Sequence, residues 1–321
     1  MDKKKLLYGF LLIVAAVVWG FAFVAQRVGM DYMRPFTFSF ARFFLGSIVL
    51  IPVCIVLVRK SRKNRLENTE KIPTNEAYVV KHTIVGGIIC GAVLCLATAL
   101  QQYAIQYTSV GKAGFITALY IIFVPLLGLF FHKKATKLVT VSVMLAMVGL
   151  YFLCIPSGQW VGFTGADQLL LISALCYAIH ILVISYFSPK GFPVVISAIQ
   201  FFVAGLLSFV FAIIFEHPTF TDIYAGRIAV LYAGIMACGV AYTLQIIAQK
   251  HVEPTTTSLI LSMESVTSAL AGWIILNQSM NGREISGATL MFLAMILAQI
   301  PATIFIQKKF KIKKIAYDSN S

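Results

Sequence analysis

Apolar stretches close to twenty residues long recur from one end of this chain to the other, and that recurrence limits the fold more than any motif does. A helix needs about 20 apolar residues to cross the hydrocarbon core of a bilayer. Ten such stretches are legible, at 6–26, 36–58, 83–106, 113–131, 138–155, 168–187, 193–215, 228–248, 257–277 and 285–306. Little chain is left for a soluble catalytic domain, and the longest gap, 59–82, is charged and reads as a surface loop. Only 12% of the residues are charged and 59% are hydrophobic. Soluble domains carry about 25% charged residues, so this chain lacks the polar surface to cover a globule of its size. Backbone groups in hydrocarbon must be satisfied within the protein, which helices achieve. The expected fold is therefore an all-α membrane protein with ten transmembrane helices. Lys3, Lys4 and Lys5 precede the first stretch, but it is too long for a signal-peptide core and no small-x-small site follows it. It reads as a retained first helix.

The net charge of +14 would point to nucleic acid in a soluble protein. Its location points elsewhere. With the N-terminus cytosolic and ten spans, 20 Lys and Arg fall on the cytosolic side and five outside, with Arg42 inside a span. That asymmetry matches the positive-inside rule and puts both termini in the cytosol. The basic tail around "KKFKIKK" at 308–314 then faces anionic lipid. The expected partners are the lipid bilayer and a small-molecule substrate, with no nucleic acid; a homodimer is left open. The six cysteines, at 54, 90, 95, 154, 176 and 238, all lie inside spans without a CxxC spacing, and read as small buried apolar residues. No phosphate-binding loop, HExxH or GxSxG with a placed histidine occurs, so no cofactor, metal or ATP-driven step is expected.

Ten spans divide into five and five. An odd number per half makes the second half enter the membrane from the opposite side, the layout of an inverted repeat. An offset of 143 residues carries Gln102 onto Gln245 and Gln106 onto Gln249, a glutamine pair at helical spacing in each half. The expected units are 1–158, helices 1–5 with loop 59–82; 159–306, helices 6–10; and a basic cytosolic tail, 307–321.

The stretches "AVVWGFAFVAQR", "SFARFFLG", "ALQQYAIQYTSVGKAGFITALYIIFVPLLGLFF" and "AYTLQIIAQKHVEPTTTSLILSMESVTSALAGWIILNQ" resemble the EamA-type permeases of the drug/metabolite transporter superfamily, in order and spacing over about 6–306. The resemblance implies a ten-helix inverted-repeat carrier of the plasma membrane with a cavity between its halves. It also implies a cargo of amino acids, metabolites or drugs, often moved outward. The chain departs from the pattern where Ser265 replaces a proline, where Asn277 and Gln278 replace glycine and glutamate, and where "HKK" at 132–134 replaces a frequent acid. Glu264 is left as an isolated acid in its span.

A charge at mid-helix costs about 2.5–3.5 kcal/mol on insertion scales and tends to face a cavity or a partner. Glu264 lies seven residues into 257–277, roughly 10 Å from the cytosolic end. Thr257, Thr267, Ser268 and Ala271 share its face at helical spacing. It reads either as a site for a proton or substrate cation, or as a protonated side chain bonded to a neighbouring carbonyl. Arg42 could snorkel to the interface, line the site as a wall for a substrate carboxylate, or pair with Glu264. Gln101, Gln102, Gln245 and Gln249 could serve at the cavity mouths or join helices. His180 has no second ligand at metal spacing, and reads as a helix contact or a proton-sensitive cavity residue. Trp19, Phe23, Tyr120, Tyr177 and Tyr242 could stack on an organic solute or simply pack. The candidate substrate site is thus Trp19, Phe23, Gln102, Tyr120, Tyr177, His180, Tyr242, Gln245 and Glu264, with Glu264 also the candidate for proton or cation coupling. The leading reading is a secondary transporter working by alternating access rather than an enzyme. A lipid-modifying membrane enzyme and a non-transporting sensor are the alternatives.

Overall fold

A computed structural model of the protein describes residues 3–67, 76–129, 137–154, 164–278 and 281–299. Among them there are helices and turns and no strand. The first helix, α1 (Lys3–Gly29), turns within five residues into α2 (Pro35–Glu67), and α3 (Glu76–Ala104) returns. Then come α4 (Val110–Thr117), α5 (Tyr120–Leu129), α6 (Lys137–Cys154), α7 (Gly165–Phe187) and α8 (Pro193–Phe215). After the short α9 (Phe220–Ala225) and α10 (Arg227–Leu231), a π-helical segment (Tyr232–Tyr242) runs into α11 (Thr243–Gln249). The described chain closes with α12 (Pro254–Leu261), α13 (Met263–Leu276) and α14 (Gly282–Gln299).

Eight of these stretches are long and apolar enough to cross a membrane. Two more apolar helices, Thr140–Gly149 and Ile285–Ala294, are shorter. The protein is a multi-pass membrane protein. Its outer surface is the apolar one that hydrocarbon demands: Phe10, Ile48, Val56, Phe215 and Ile274 are exposed. The charged segment expected to loop over 59–82 is largely helix instead, since α2 continues to Glu67 and α3 begins at Glu76.

Local chemistry sets the helix ends. Thr164 and Asp167 form a reciprocal capping box at the start of α7. Pro193 and Pro254 open α8 and α12, where the missing N–H is no loss. Asn277 ends α13 in the left-handed region, φ 53°. The start of α2 is capped from a distance: Glu216, at the end of α8, accepts from Phe36 N, Thr37 N and the Thr37 hydroxyl at 2.7–2.9 Å.

Two expected spans are interrupted. The fourth breaks at Ala118 and Leu119, between α4 and α5, and the ninth breaks at Ser262, between α12 and α13. The offset that carries Gln102 onto Gln245 carries Leu119 onto Ser262. Hydroxyls re-satisfy the carbonyls of the second break: Ser262 Oγ donates to Leu259 O and Ser265 Oγ to Ser262 O, both at 2.7 Å.

The core has two main apolar clusters near the cavity. One joins α1, α5 and α12 through Leu12, Ile121, Val124 and Leu259. The other joins α2, α3 and α8 through Phe43, Leu94 and Phe201. Trp19 and Tyr177 pack against both. Close approach is bought with glycine. A Cβ on Gly20 would overlap the Thr267 side chain, and one on Gly114 the Ser268 hydroxyl, so α13 lies wedged against α1 and α4.

Candidate functional site

One cavity gathers polar side chains from both ends of the chain. Helix α1 supplies Trp19, Phe23 and Gln26 to its wall, and α2 supplies Arg42. Gln101, Thr117 and Tyr120 come from α3, α4 and α5. Tyr177 and His180 of α7, Cys238 and Tyr242 of the π segment, Gln245 of α11 and Glu264 of α13 complete the polar and aromatic lining. The cavity volume is about 40 Å³, so the space between these side chains is narrow. The lining runs from Gln26 near the Gly29 end of α1 to Gln245 near the Gln249 end of α11, which lies beside the other end of α1, where Tyr8 stacks on His251.

Glu264 owes its position to the break. It sits in the first turn of α13, at the positive end of a half-helix. The helical run begins at Pro254, so Glu264 lies roughly 15 Å along it, near the middle of a bilayer and deeper than the sequence alone placed it. Thr257 belongs to α12, so the polar face reading from Thr257 to Ala271 is interrupted at Ser262. Thr267 does lie near Glu264, and donates to Ala16 O of α1 at 3.2 Å.

Hydrogen bonds fix part of the wall. Tyr177 OH donates to Gln101 Oε1, and Gln101 Nε2 donates to the Thr117 hydroxyl, both at 3.0 Å, tying α7 to α3 to α4. His180 Nε2 lies 3.1 Å from Gln200 Oε1. Trp19 Nε1 donates to Ala237 O at 3.3 Å, a carbonyl within the π segment, and its ring meets Tyr242 edge-on at 4.5 Å. A π-helical register leaves the ordinary ladder, and such registers recur at functional sites.

Other polar atoms have no partner. Gln26 Oε1, Arg42 Nε and Nη2, Tyr120 OH, Gln245 Oε1 and Glu264 Oε1 are all buried without a hydrogen bond. Buried polar groups are nearly always satisfied, and each exception needs a cause. These atoms line one cavity, while others without a partner, such as Ser39 Oγ, Gln102 Oε1, Ser197 Oγ and Gln249 Oε1, lie elsewhere. Tyr120 and Glu264 are near enough to interact electrostatically, and Arg42 and Glu264 form no ion pair with any described residue.

Of the residues expected from sequence, Trp19, Phe23, Tyr120, Tyr177, His180, Tyr242, Gln245 and Glu264 lie on this cavity. Gln102 does not. Its side chain turns to α1, where Nε2 donates to Gln26 O at 3.1 Å, and its neighbour Gln101 faces the cavity instead. Gln249 also faces away, donating to Ile181 O and Ser185 Oγ at 3.0 and 2.9 Å. Arg42 does not snorkel: it is only 4% exposed and its guanidinium lies over Phe43 and Phe38, 4.8 and 5.5 Å from the ring centroids. Gln26 escaped the sequence reading although it shares a helical face with Trp19 and Phe23, at i, i+4 and i+7. No cluster that could hold a metal ion occurs among the described residues. Cys54, Cys90, Cys95, Cys176 and Cys238 are free thiols.

Residues 6–155 and 164–299 each match the EamA-like transporter family. The chain belongs to that family. An uncharacterized transporter of Archaeoglobus fulgidus is 28% identical over 301 residues, which is 93% of this chain and 88% of the relative. The threonine/homoserine exporter RhtA of Salmonella typhimurium is 30% identical over 185 residues, 54% of this chain and 57% of its own. A crystal structure of a protein 17% identical superposes with a TM-score of 0.69 over 93% of this chain and 97% of that one. At that identity the likeness concerns the fold. The chain is thus a transporter of the EamA family, within the drug/metabolite transporter superfamily.

Proposed function

We propose that this EamA-family protein moves a small organic solute across the plasma membrane, in the export direction, and that the cavity around Glu264 is the transport site. The observation that carries the reading is the convergence of buried, unpartnered polar atoms from Gln26, Arg42, Tyr120, Gln245 and Glu264 on one cavity. A solute with complementary groups would satisfy them, and Trp19, Tyr177 and Tyr242 would hold its apolar part. Glu264 serves as the site for a cationic group or a proton, so that arrival of one releases the other and couples solute to proton movement.

The arrangement fits ten transmembrane helices in two inverted five-helix halves, 1–158 and 159–306, with a cytosolic tail at 307–321 and both termini in the cytosol. The two family matches and the corresponding breaks near Leu119 and Ser262 support it. The asymmetry of Lys and Arg supports the orientation. Discontinuous helices around a midplane site are a recurring device of secondary transporters, in which one half rocks against the other.

The test is Glu264→Gln in reconstituted vesicles. Transport of a panel of amino acids, amines and dyes should fall at least about tenfold, the scale of one lost charge-assisted contact. Expression and the elution profile should be unchanged. Measuring uptake and efflux with and without a proton gradient reads direction and coupling together. Wild-type flux in the variant would make Glu264 a structural residue.

A further inference from the structure

A second opening lies on the lipid-facing side of the molecule, between α13 and α14. Its volume is about 590 Å³, well above that of the central cavity. Met263 and Val266 form its floor and are 9% and 8% exposed. Leu270 and Trp273 of α13 face Ile285 and Phe292 of α14 across its rim, and all four are exposed. The gap follows from where the two helices are committed. Helix α13 is wedged against α1 and α4 at Gly20 and Gly114. Helix α14 is drawn to α6, where a Cβ on Gly149 would lie 2.8 Å from Gly287 O. Neither helix can lean across to close the gap without leaving the neighbour it packs on.

Chemistry and length together name the occupant. The hydroxyl on the wall, Thr289, is occupied within its own helix, donating to Ile285 O at 2.9 Å, so the side chains around the opening offer apolar contact. The opening faces hydrocarbon, where there is no water to fill it. Left empty, it would forfeit the dispersion contacts of every side chain around it. From Met263 to Trp273 the helix rises about 15 Å. That is the depth of one leaflet in a hydrocarbon core about 30 Å thick. Trp273 stands at the mouth, where an indole meets lipid headgroups, and Met263 stands beside Glu264 near the middle of the bilayer. A helix with its side chains is about 10–12 Å across. That is too wide to lie between two helices that touch behind the opening, where the buried Ser265 Oγ donates to the buried Met291 Sδ at 3.4 Å.

We infer that the opening between α13 and α14 is a lipid site. It holds one acyl chain of a phospholipid from the leaflet on the Trp273 side, with the chain end against Met263 and Val266. The bound chain replaces protein packing on the outer side of α13 and steadies the half-helix that carries Glu264. The inference rests on the multi-pass fold, and stands apart from the reading of the central cavity as the transport site.

Photolabelling of the full-length protein in phospholipid nanodiscs tests it. The probes are phosphatidylglycerols carrying a diazirine either at the end of one acyl chain or near its ester. Chain-end probes should label Met263 and Val266, and ester-proximal probes Trp273 and Ile285. Chain-end labelling of Met263 and Val266 should exceed that of Leu206, exposed halfway along α8, by roughly tenfold, equivalent to about ten added carbon–carbon contacts. Ala288→Trp, which fills the opening, should remove that excess and leave Leu206 labelling unchanged. Returning phospholipid to delipidated protein should raise the unfolding midpoint of the wild type more than that of Ala288→Trp. Labelling no denser at Met263 and Val266 than at Leu206 overturns the inference, as does an excess that survives Ala288→Trp. Equal rises in midpoint overturn the steadying of α13. Light scattering in detergent that finds two copies per wild-type particle and one for Ala288→Trp would give the opening to a second copy and overturn the lipid site. Should Ala288→Trp fail to fold, Leu270→Trp takes its place, and the wild-type labelling pattern decides by itself.

Discussion

Gly20 of α1 and Thr267 of α13 meet with no room for a methyl group between them. Overpacking of this kind typically costs about 1–3 kcal/mol. Gly20→Ala should therefore lower thermal stability in detergent by that amount, with α1 pushed off α13 beside the cavity. Transport should fall with it. An unchanged unfolding midpoint would mean that α1 and α13 part more easily than their packing implies.

The ion pair between Lys112 and Asp167 ties α4 to α7. The ammonium lies 2.9 Å from both carboxylate oxygens, and the Asp167 side chain is 2% exposed. Removing Lys112 leaves a buried carboxylate held only by Thr164. Lys112→Ala should cost about 1–3 kcal/mol, below the range of about 3–5 for breaking a fully buried pair, because Lys112 is itself partly solvated. Lys112→Ala combined with Asp167→Asn should recover some of the loss. If the losses of Lys112→Ala and Asp167→Asn, measured singly, simply add in the double variant, the pair is not coupled.

Trp19 reports on the cavity. It is one of three tryptophans, and Trp273 is about half exposed on the apolar surface. Addition of a transported solute should change tryptophan fluorescence in the wild type and leave it nearly unchanged in Trp19→Phe. The variant should also bind more weakly by up to about tenfold, since it loses the indole bond to Ala237 O. A full-size signal in Trp19→Phe would place the solute elsewhere.

Topology can be read directly. A fluorescent protein fused after Ser321 should fluoresce, and an alkaline phosphatase fused there should be inactive, because both report a cytosolic carboxyl end. The opposite pattern would rule out ten spans from a cytosolic start.

Much of the membrane architecture was legible because hydrocarbon imposes a length and a composition that few sequences meet by chance. The interruption at Ser262 was not. No proline or glycine marks it, and its signal is the run of serines that bond back to carbonyls three residues earlier. The π-helical register from Tyr232 to Tyr242 likewise has no sequence signature. Glu264 stood out because an acid is costly in hydrocarbon. Arg42 could not be placed, since a long side chain can reach either water or a cavity, and only the packing of Phe38 and Phe43 decides. Gln101 and Gln102 are adjacent in sequence, so a helix must turn them to different neighbours, and periodicity alone did not say which one meets the cavity.

The stretch Pro254–Leu276 has the lowest mean hydropathy of the eight candidate spans, 1.7, and 61% of its most apolar window is covered by protein rather than lipid. Its serines, threonines and lone acid would make it a reluctant entrant into a bare bilayer during synthesis. It emerges from the ribosome late, when α1 and α4 already stand in the membrane to shelter it. Damage to that shelter, at Gly20 or Gly114, would then surface as a nascent chain whose final segments fail to integrate and are degraded, before any question of carrying cargo arises.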